Sequence, residues 1–160
     1  MAFEISPAFA EDLGEAGRVH AVAWQDSHRR FCTPEFVALH TPERQARYLA
    51  EKLANGSRLF LLRLDGKAVG VVGVAGSLIE DLYILPDYRN RGLGTALLRY
   101  AIGQCDGAPK LWILENNAGA ECLYRREGFV PTGRRNAIAG KLDEVAFELR
   151  RPCLPARKEI

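Results

Sequence analysis

The chain has 160 residues, with 22 Lys plus Arg against 20 Asp plus Glu for a formal net charge of +2, and it is 48% hydrophobic and 26% charged. That length suits one domain with its own core, and the composition excludes disordered, collagen-like and coiled-coil chains. No apolar run reaches the roughly 20 residues of a membrane span, because Arg63, Asp65 and Lys67 interrupt the longest stretches, so no membrane partner is expected.

Phe3 to Ser6 reads as a first strand ended by Pro7, and apolar residues at Phe9, Leu13, Ala16, Val19, Ala23 and Trp24 predict a helix over 8–25. Residues 26–40 read as irregular or a short helix. A second helix opens at Thr41-Pro42-Glu43, with an N-cap Thr, a Pro at N1 and an early acid, and closes at Asn55-Gly56. The pattern then turns to strands: RLFLLRL from Arg58, KAVGVVGV after the Asp65-Gly66 turn, and LIEDLYIL after Gly76, an antiparallel meander.

Past Pro86, a glycine-bearing loop leads into a helix over 94–105, then a strand KLWIL at 110–114. A further helix runs from the N-cap Asn117 to Glu127, with Gly128 at the position that favours positive φ. Two last strands fit at 129–132 and 145–150. Residues 1–151 are expected to form one domain and 152–160 a tail. Strands in antiparallel order, followed by strands alternating with helices, give a mixed α/β class, α+β in parts: a six- to seven-stranded sheet flanked by about four helices.

The N-terminus, Met1-Ala-Phe-Glu, carries an early acid and lacks a basic segment followed by an apolar one, so a cytoplasmic protein is expected. Cys32, Cys105, Cys122 and Cys153 are scattered, with no C-x-x-C pair and no His at ligand spacing, so reduced thiols and no metal are expected. Residues 1–88 hold 9 basic and 12 acidic residues, whereas residues 89–160 hold 13 and 8, a net −3 and +5. This division is either chance on a solvated surface or the mark of a cleft with one cation-attracting and one anion-attracting side.

The sharpest motif is Pro86-Asp-Tyr-Arg89-Asn90-Arg91-Gly92-Leu93-Gly94-Thr95 between a strand and a helix. Gly92 and Gly94 allow close backbone approach and unusual φ, leaving the helix's first N–H groups pointing outward with its dipole, an arrangement that binds phosphate. Arg89 and Arg91 add charge beside it. A Walker A loop would need a Lys after the last Gly, and a Rossmann fingerprint a third Gly or Ala where Leu97 stands.

The remaining form, R-x-x-G-x-G opening a helix after a strand, resembles the acyl-CoA pyrophosphate loop of the GNAT superfamily of N-acyltransferases. LIEDLYILPDYRNRGLGTALL, residues 78–98, looks like that family's fourth strand, loop and third helix. LWILENNAGAECLYRREGF, residues 111–129, looks like its fifth strand and fourth helix, through Asn117, Ala120, Leu123, Tyr124, Gly128 and Phe129. VAWQDSHRRF, residues 22–31, is a weaker match to the substrate-side helix of bacterial members.

The resemblance implies a GNAT-like sheet splayed between its fourth and fifth strands, and transfer of an acetyl group from acetyl-CoA to an amine by direct attack. It implies that Tyr124 protonates the leaving sulfur and that Asn117 contacts the pantetheine arm. The spacing of seven puts these two on nearly one helical face. Leu82, Tyr83 and Ile84 would offer backbone groups to the acetyl and pantetheine, and Asn90 to Thr95 amides to the pyrophosphate. A side-chain change at Leu93 is therefore expected to matter less than a β-branched residue at Gly92 or Gly94.

Glu80 and Asp81 are adjacent acids in an apolar strand, and strict alternation sends them to opposite faces unless a bulge intervenes. The E-D pair before L-Y-I resembles small-amine and polyamine acetyltransferases, which makes Glu80 the base, directly or through water, or else a structural residue. Asp81 would hold the amine's cation. Some relatives carry a Glu at the start of the fifth strand instead, where this chain has Trp112 or a neighbour of it. Trp24, with Gln25, His28 and Arg29, would line the amine pocket, the alternative for Trp24 being the core. His20, His28 and His40 lie too far apart in sequence to be assigned catalysis.

The expected partners are acetyl-CoA and a small-molecule or peptide amine, with the first helix, the 26–40 segment and the connection Gly133 to Lys141 at the amine pocket. Dimers are common in the family, and a homodimer is one assembly open to this chain. The rival reading is an acyl-CoA-binding module without catalysis, which needs residues 90–95 but neither Glu80 nor Tyr124. Nucleic acid is not an expected partner, because the charge is small and no basic stripe with interleaved aromatics occurs.

Overall fold

The computed structural model describes residues 2–137 and 143–150. The chain forms two compact units, Met1–Cys105 and Asp106–Ile160.

In the first unit, β1 (Phe3–Ala8), β2 (Arg58–Leu64), β3 (Lys67–Ala75) and β4 (Leu78–Ile84) lie in that order, each antiparallel to its neighbour. β1 runs through Pro7, opposite Phe60, instead of ending before it. It pairs only with β2, and Pro is tolerated on such an edge, where its missing N–H is not needed. The first helix also starts later than its apolar spacing suggests. The Asp12 carboxylate accepts from the Phe9 N–H at 2.8 Å and closes a single tight turn, Ala10–Asp12, before α1 (Leu13–His28) begins. α1 continues past residue 25, and the His28 carbonyl at its end accepts from the Phe31 and Cys32 N–H groups, each at 3.0 Å.

A short helix, α2 (Pro34–Ala38), is capped by Thr33, and α3 (Pro42–Ala54) by Thr41, whose Oγ1 accepts from the Arg44 N–H at 3.1 Å. α1 and α3 pack at close range through Gly17: a Cβ there would lie 2.6 Å from the Pro42 carbonyl oxygen and 2.8 Å from the Ala46 Cβ. Gly17→Val should therefore destabilise the fold by about 2 kcal/mol, since neither the backbone oxygen nor the methyl can retreat. Thermal unfolding of the variant checks this.

β3 is buried along nearly its whole length, which demands cover on both faces. A Cβ on Gly70 would touch Leu97 of α4 (Leu93–Gln104), whereas Val71 is opposite Tyr83, whose ring meets His20 of α1. Successive residues alternate in direction, so α4 covers one face and α1 with α3 the other.

The second unit places β5 (Lys110–Leu114), β7 (Asp143–Leu149) and β6 (Phe129–Ala137) side by side in antiparallel order, with α5 (Ala118–Arg126) between β5 and β6 in the chain. β6 is longer than the 129–132 expected. Its added residues are polar and exposed, so no hydrophobic period marks them, and cross-strand pairs from Arg135–Val145 to Ala137–Asp143 hold them. Residues 133–137 of the expected connection thus belong to a strand. Residues 138–142, Cys153 and the expected tail lie outside the described residues.

Candidate active site

The backbone of β4 is irregular at the acidic pair. Gly73 is opposite Glu80 and Val71 opposite Tyr83, so Val72 alone faces both Asp81 and Leu82, and Asp81 takes a left-handed φ of 57°. This is the bulge that strict alternation omits, and it turns both carboxylates to the α1/α3 face.

Asp81 is directed into the interior. Its Oδ1 accepts from His20 Nε2 at 2.9 Å, and the Tyr48 hydroxyl donates to Oδ2 at 3.0 Å. Gln45 Nε2 donates to His20 Nδ1 at 2.9 Å, which puts the ring proton on Nε2. Burial and the Asp81 charge hold the Tyr48 phenol far above its ordinary value, so it remains a donor. The carboxylate expected to hold a substrate cation is instead tied to two helices. Its partners His20 and Tyr48 escape sequence reading because they are 61 and 33 residues away.

Glu80 remains at the surface of a cleft of about 300 Å³ lined by Tyr48, Lys52, Ser57, Ala75 and Leu78 among others. Its Oε1 is 2.9 Å from Lys52 Nζ, and that ammonium also sits 5.5 Å from the centre of the Tyr48 ring. Tyr48 and Lys52 are one helical turn apart on α3, a spacing that could have marked them as one face of a site.

Trp24 is half-buried between two imidazoles. His28 stacks on one side of its indole at 3.9 Å and His40 at 3.6 Å, and Gln25 is bound to the His40 carbonyl. Arg29 is exposed, 3.8 Å from Asp26. Burial lowers the affinity of both imidazoles for a proton. The unfolded chain therefore binds protons that the folded one rejects, and stability should fall as the pH drops through 6.5. Melting temperatures at pH 7.5 and 5.5, compared with those of His28→Gln, check the sign.

The loop after β4 carries Asn90 at φ 63° and Gly92 at φ 82°, both left-handed, the latter serving as the N-cap of α4. The first helical bond is Ala96 N–H to the Gly92 carbonyl, so the N–H groups of Leu93, Gly94 and Thr95 precede the ladder. No side chain caps them and no acid stands in the first turn, whereas α3 and α5 each have both. This is the one of these three helices whose positive end is left for an external anion. Gly94 lies inside the helix, so its expected need for unusual φ does not arise. Leu93 is 2% exposed, so a change there also disturbs the core.

Arg89 is engaged with its neighbours, donating to the Ile84 carbonyl and lying 2.6 Å from Asp26. Arg91 donates to the Asp87 carbonyl and lies over the Tyr88 ring. The Arg89–Asp26 pair joins a base of the 89–160 part to an acid of the 1–88 part. Leu82 follows the bulge, Tyr83 packs on His20, and Ile84 points to the α4 side.

In the second unit Asn117 caps α5, its Oδ1 accepting from the Ala120 N–H at 3.1 Å, so it stands outside the helical face assigned to it. Tyr124 is buried, edge-on to Phe129, and desolvation pushes its phenol up to about 12. Among the described residues no helix is long and apolar enough to cross a membrane, and no group of three His, Cys, Asp or Glu is placed to hold a metal.

A family model for an acetyltransferase (GNAT) domain matches residues 55–131, from the end of α3 to the start of β6. Streptothricin acetyltransferase A of Bacillus subtilis is 32% identical over 84 residues, which cover 49% of this chain and 47% of that protein. Streptothricin acetyltransferase of Streptomyces lavendulae is 32% identical over 111 residues, 61% of this chain and 59% of that one. The match thus spans about half the length of these relatives. In three dimensions the chain is similar to PaiA N-acetyltransferase from Thermoplasma acidophilum, solved with coenzyme A, at a TM-score of 0.70 and 17% identity, covering 94% of this chain and 100% of that one. The fold and the family-model match agree: residues 55–131 match the acetyltransferase (GNAT) domain, and the chain has the fold of the GNAT acetyltransferases.

Proposed function

We propose that this protein transfers the acetyl group of acetyl-CoA to a primary amine, on a small molecule or a peptide, by direct attack. The observation that carries the reading is the uncapped N-terminus of α4 behind Gly92, within the stretch that matches the family. Its N–H groups and dipole suit the pyrophosphate of the co-substrate, and the open space around Gly92 leaves room for the phosphate to approach.

An alkylammonium, with an ordinary pKa of about 10.4, must lose a proton before it can attack. Glu80 is the proposed base, as the carboxylate of the acidic pair that borders the cleft. Tyr124 is the proposed acid for the departing thiolate, since burial keeps its phenol protonated. The backbone of Leu82 to Ile84 is proposed to face the acetyl and pantetheine groups.

Coenzyme A at a hundredfold excess over Kd should stabilise the fold by about 2.7 kcal/mol. A panel of polyamines, aminoglycosides, amino acids and peptides should then reveal an acceptor by release of free thiol. Stabilisation with no thiol release from any amine would reduce the protein to a CoA-binding module. Tyr124→Phe should lower kcat by about 100-fold with the CoA affinity unchanged. Because its phenol ionises only near 12, the rate should show no alkaline loss from this group below pH 11. An unchanged kcat across the pH range would remove Tyr124 from the mechanism.

A further inference from the structure

Lys52 holds an amine against the carboxylate proposed as the base. Its Nζ lies 2.9 Å from Glu80 Oε1 and over the Tyr48 ring, in the cleft where an incoming ammonium would meet that carboxylate. The two side chains are 29% and 23% exposed, withdrawn enough to favour the contact and open enough for a co-substrate to reach the nitrogen. Lys67, by contrast, lies over the Tyr88 ring, outside this cleft.

Resting on the reading of Glu80 as the base, we infer that Lys52 is an acceptor built into the chain and a site of self-acetylation. The Lys52 ammonium gives a proton to Glu80, and its nitrogen lone pair forms the bond to the acetyl carbon of acetyl-CoA. The carbon–sulfur bond breaks, the sulfur keeps its electron pair and takes up a proton, and free coenzyme A leaves. The balance is one ammonium and one thioester consumed, and one amide, one thiol and one proton formed. The acetylated side chain carries no charge and no longer pairs with Glu80, so the modification opens the carboxylate to an external amine.

The test is incubation of the full chain with acetyl-CoA and no added amine, followed by peptide mass spectrometry. Acetylation of Lys52 should exceed that of Lys67 and Lys110 by at least about tenfold, at a first-order rate independent of protein concentration, and it should fall to their level in Glu80→Gln. Protein acetylated in this way should also turn over an external amine without an initial lag. Thiol release with an external amine while Lys52 stays unmodified would overturn the inference and leave the proposed activity standing. Equal labelling of all three lysines, unaltered in Glu80→Gln, would identify solution chemistry and overturn it as well. Absence of both labelling and thiol release would overturn the inference together with the activity on which it rests.

Discussion

Gly92→Val should raise the Kd for coenzyme A at least tenfold, and more where the whole loop rearranges. Gly92 holds φ 82°, where a side chain costs about 1–2 kcal/mol and a β-branched one more. The space around its missing Cβ is empty, so the cost is purely conformational, with no clash to relieve. The loop can escape it only by rotating residue 92 out of the left-handed region, which redirects the N–H groups of Leu93, Gly94 and Thr95. A loss of about 1.4 kcal/mol of their interaction with the pyrophosphate is a factor of ten in Kd. Gly92→Asn is the control, because Asn tolerates this region and Asn90 already occupies it two residues earlier. Calorimetric titration with coenzyme A should find Gly92→Asn close to the parent protein and Gly92→Val far weaker. Equal affinities in all three would separate the helix N-terminus from co-substrate binding.

Asp81→Ala should destabilise the fold by about 3 kcal/mol or more. The substitution leaves the His20 N–H, in a side chain 2% exposed, and the Tyr48 hydroxyl facing an apolar methyl, and hydrogen bonds to a charged group contribute about 1.5–3 kcal/mol each. It also forces alanine into φ 57°, which Asp tolerates better. Asp81→Asn retains an acceptor oxygen for His20 and the tolerance of left-handed φ, and should cost less than half as much. Asp81→Gly should fall between them, since it removes the network but not the fit of the backbone. Urea denaturation of the three variants separates network from conformation. If Asp81→Ala unfolded at the parental urea concentration, the carboxylate would be solvated rather than structural.

The helix caps and the glycine loop were legible because their causes are local. Thr41-Pro42-Glu43 begins α3 and Asn117 begins α5 through bonds to residues three positions away, and Gly128 takes φ 102° at the expected place. The family motifs were legible for a related reason: each is a run of neighbours on one strand–loop–helix unit, matched over residues 55–131. Elements whose limits depend on another segment were read less well. β1 passes through Pro7 because it is an edge, and β6 extends through polar residues because β7 pairs with them.

The site shows the same division more sharply. Sequence alone determined the class of the fold, the glycine loop that opens a helix, and the presence of two acids where a strand should be apolar, since all three are matters of residue type and short spacing. Only the tertiary structure decided which face the acids take and which side chains they meet. Alternation would have separated Glu80 from Asp81, but one extra residue in β4 opposite Val72 brought both to the α1/α3 face. There His20 and Tyr48 bind Asp81, and Lys52 meets Glu80, across 61, 33 and 28 residues of chain. No periodicity encodes a partner at that separation, because it is set by how the helices pack on the sheet.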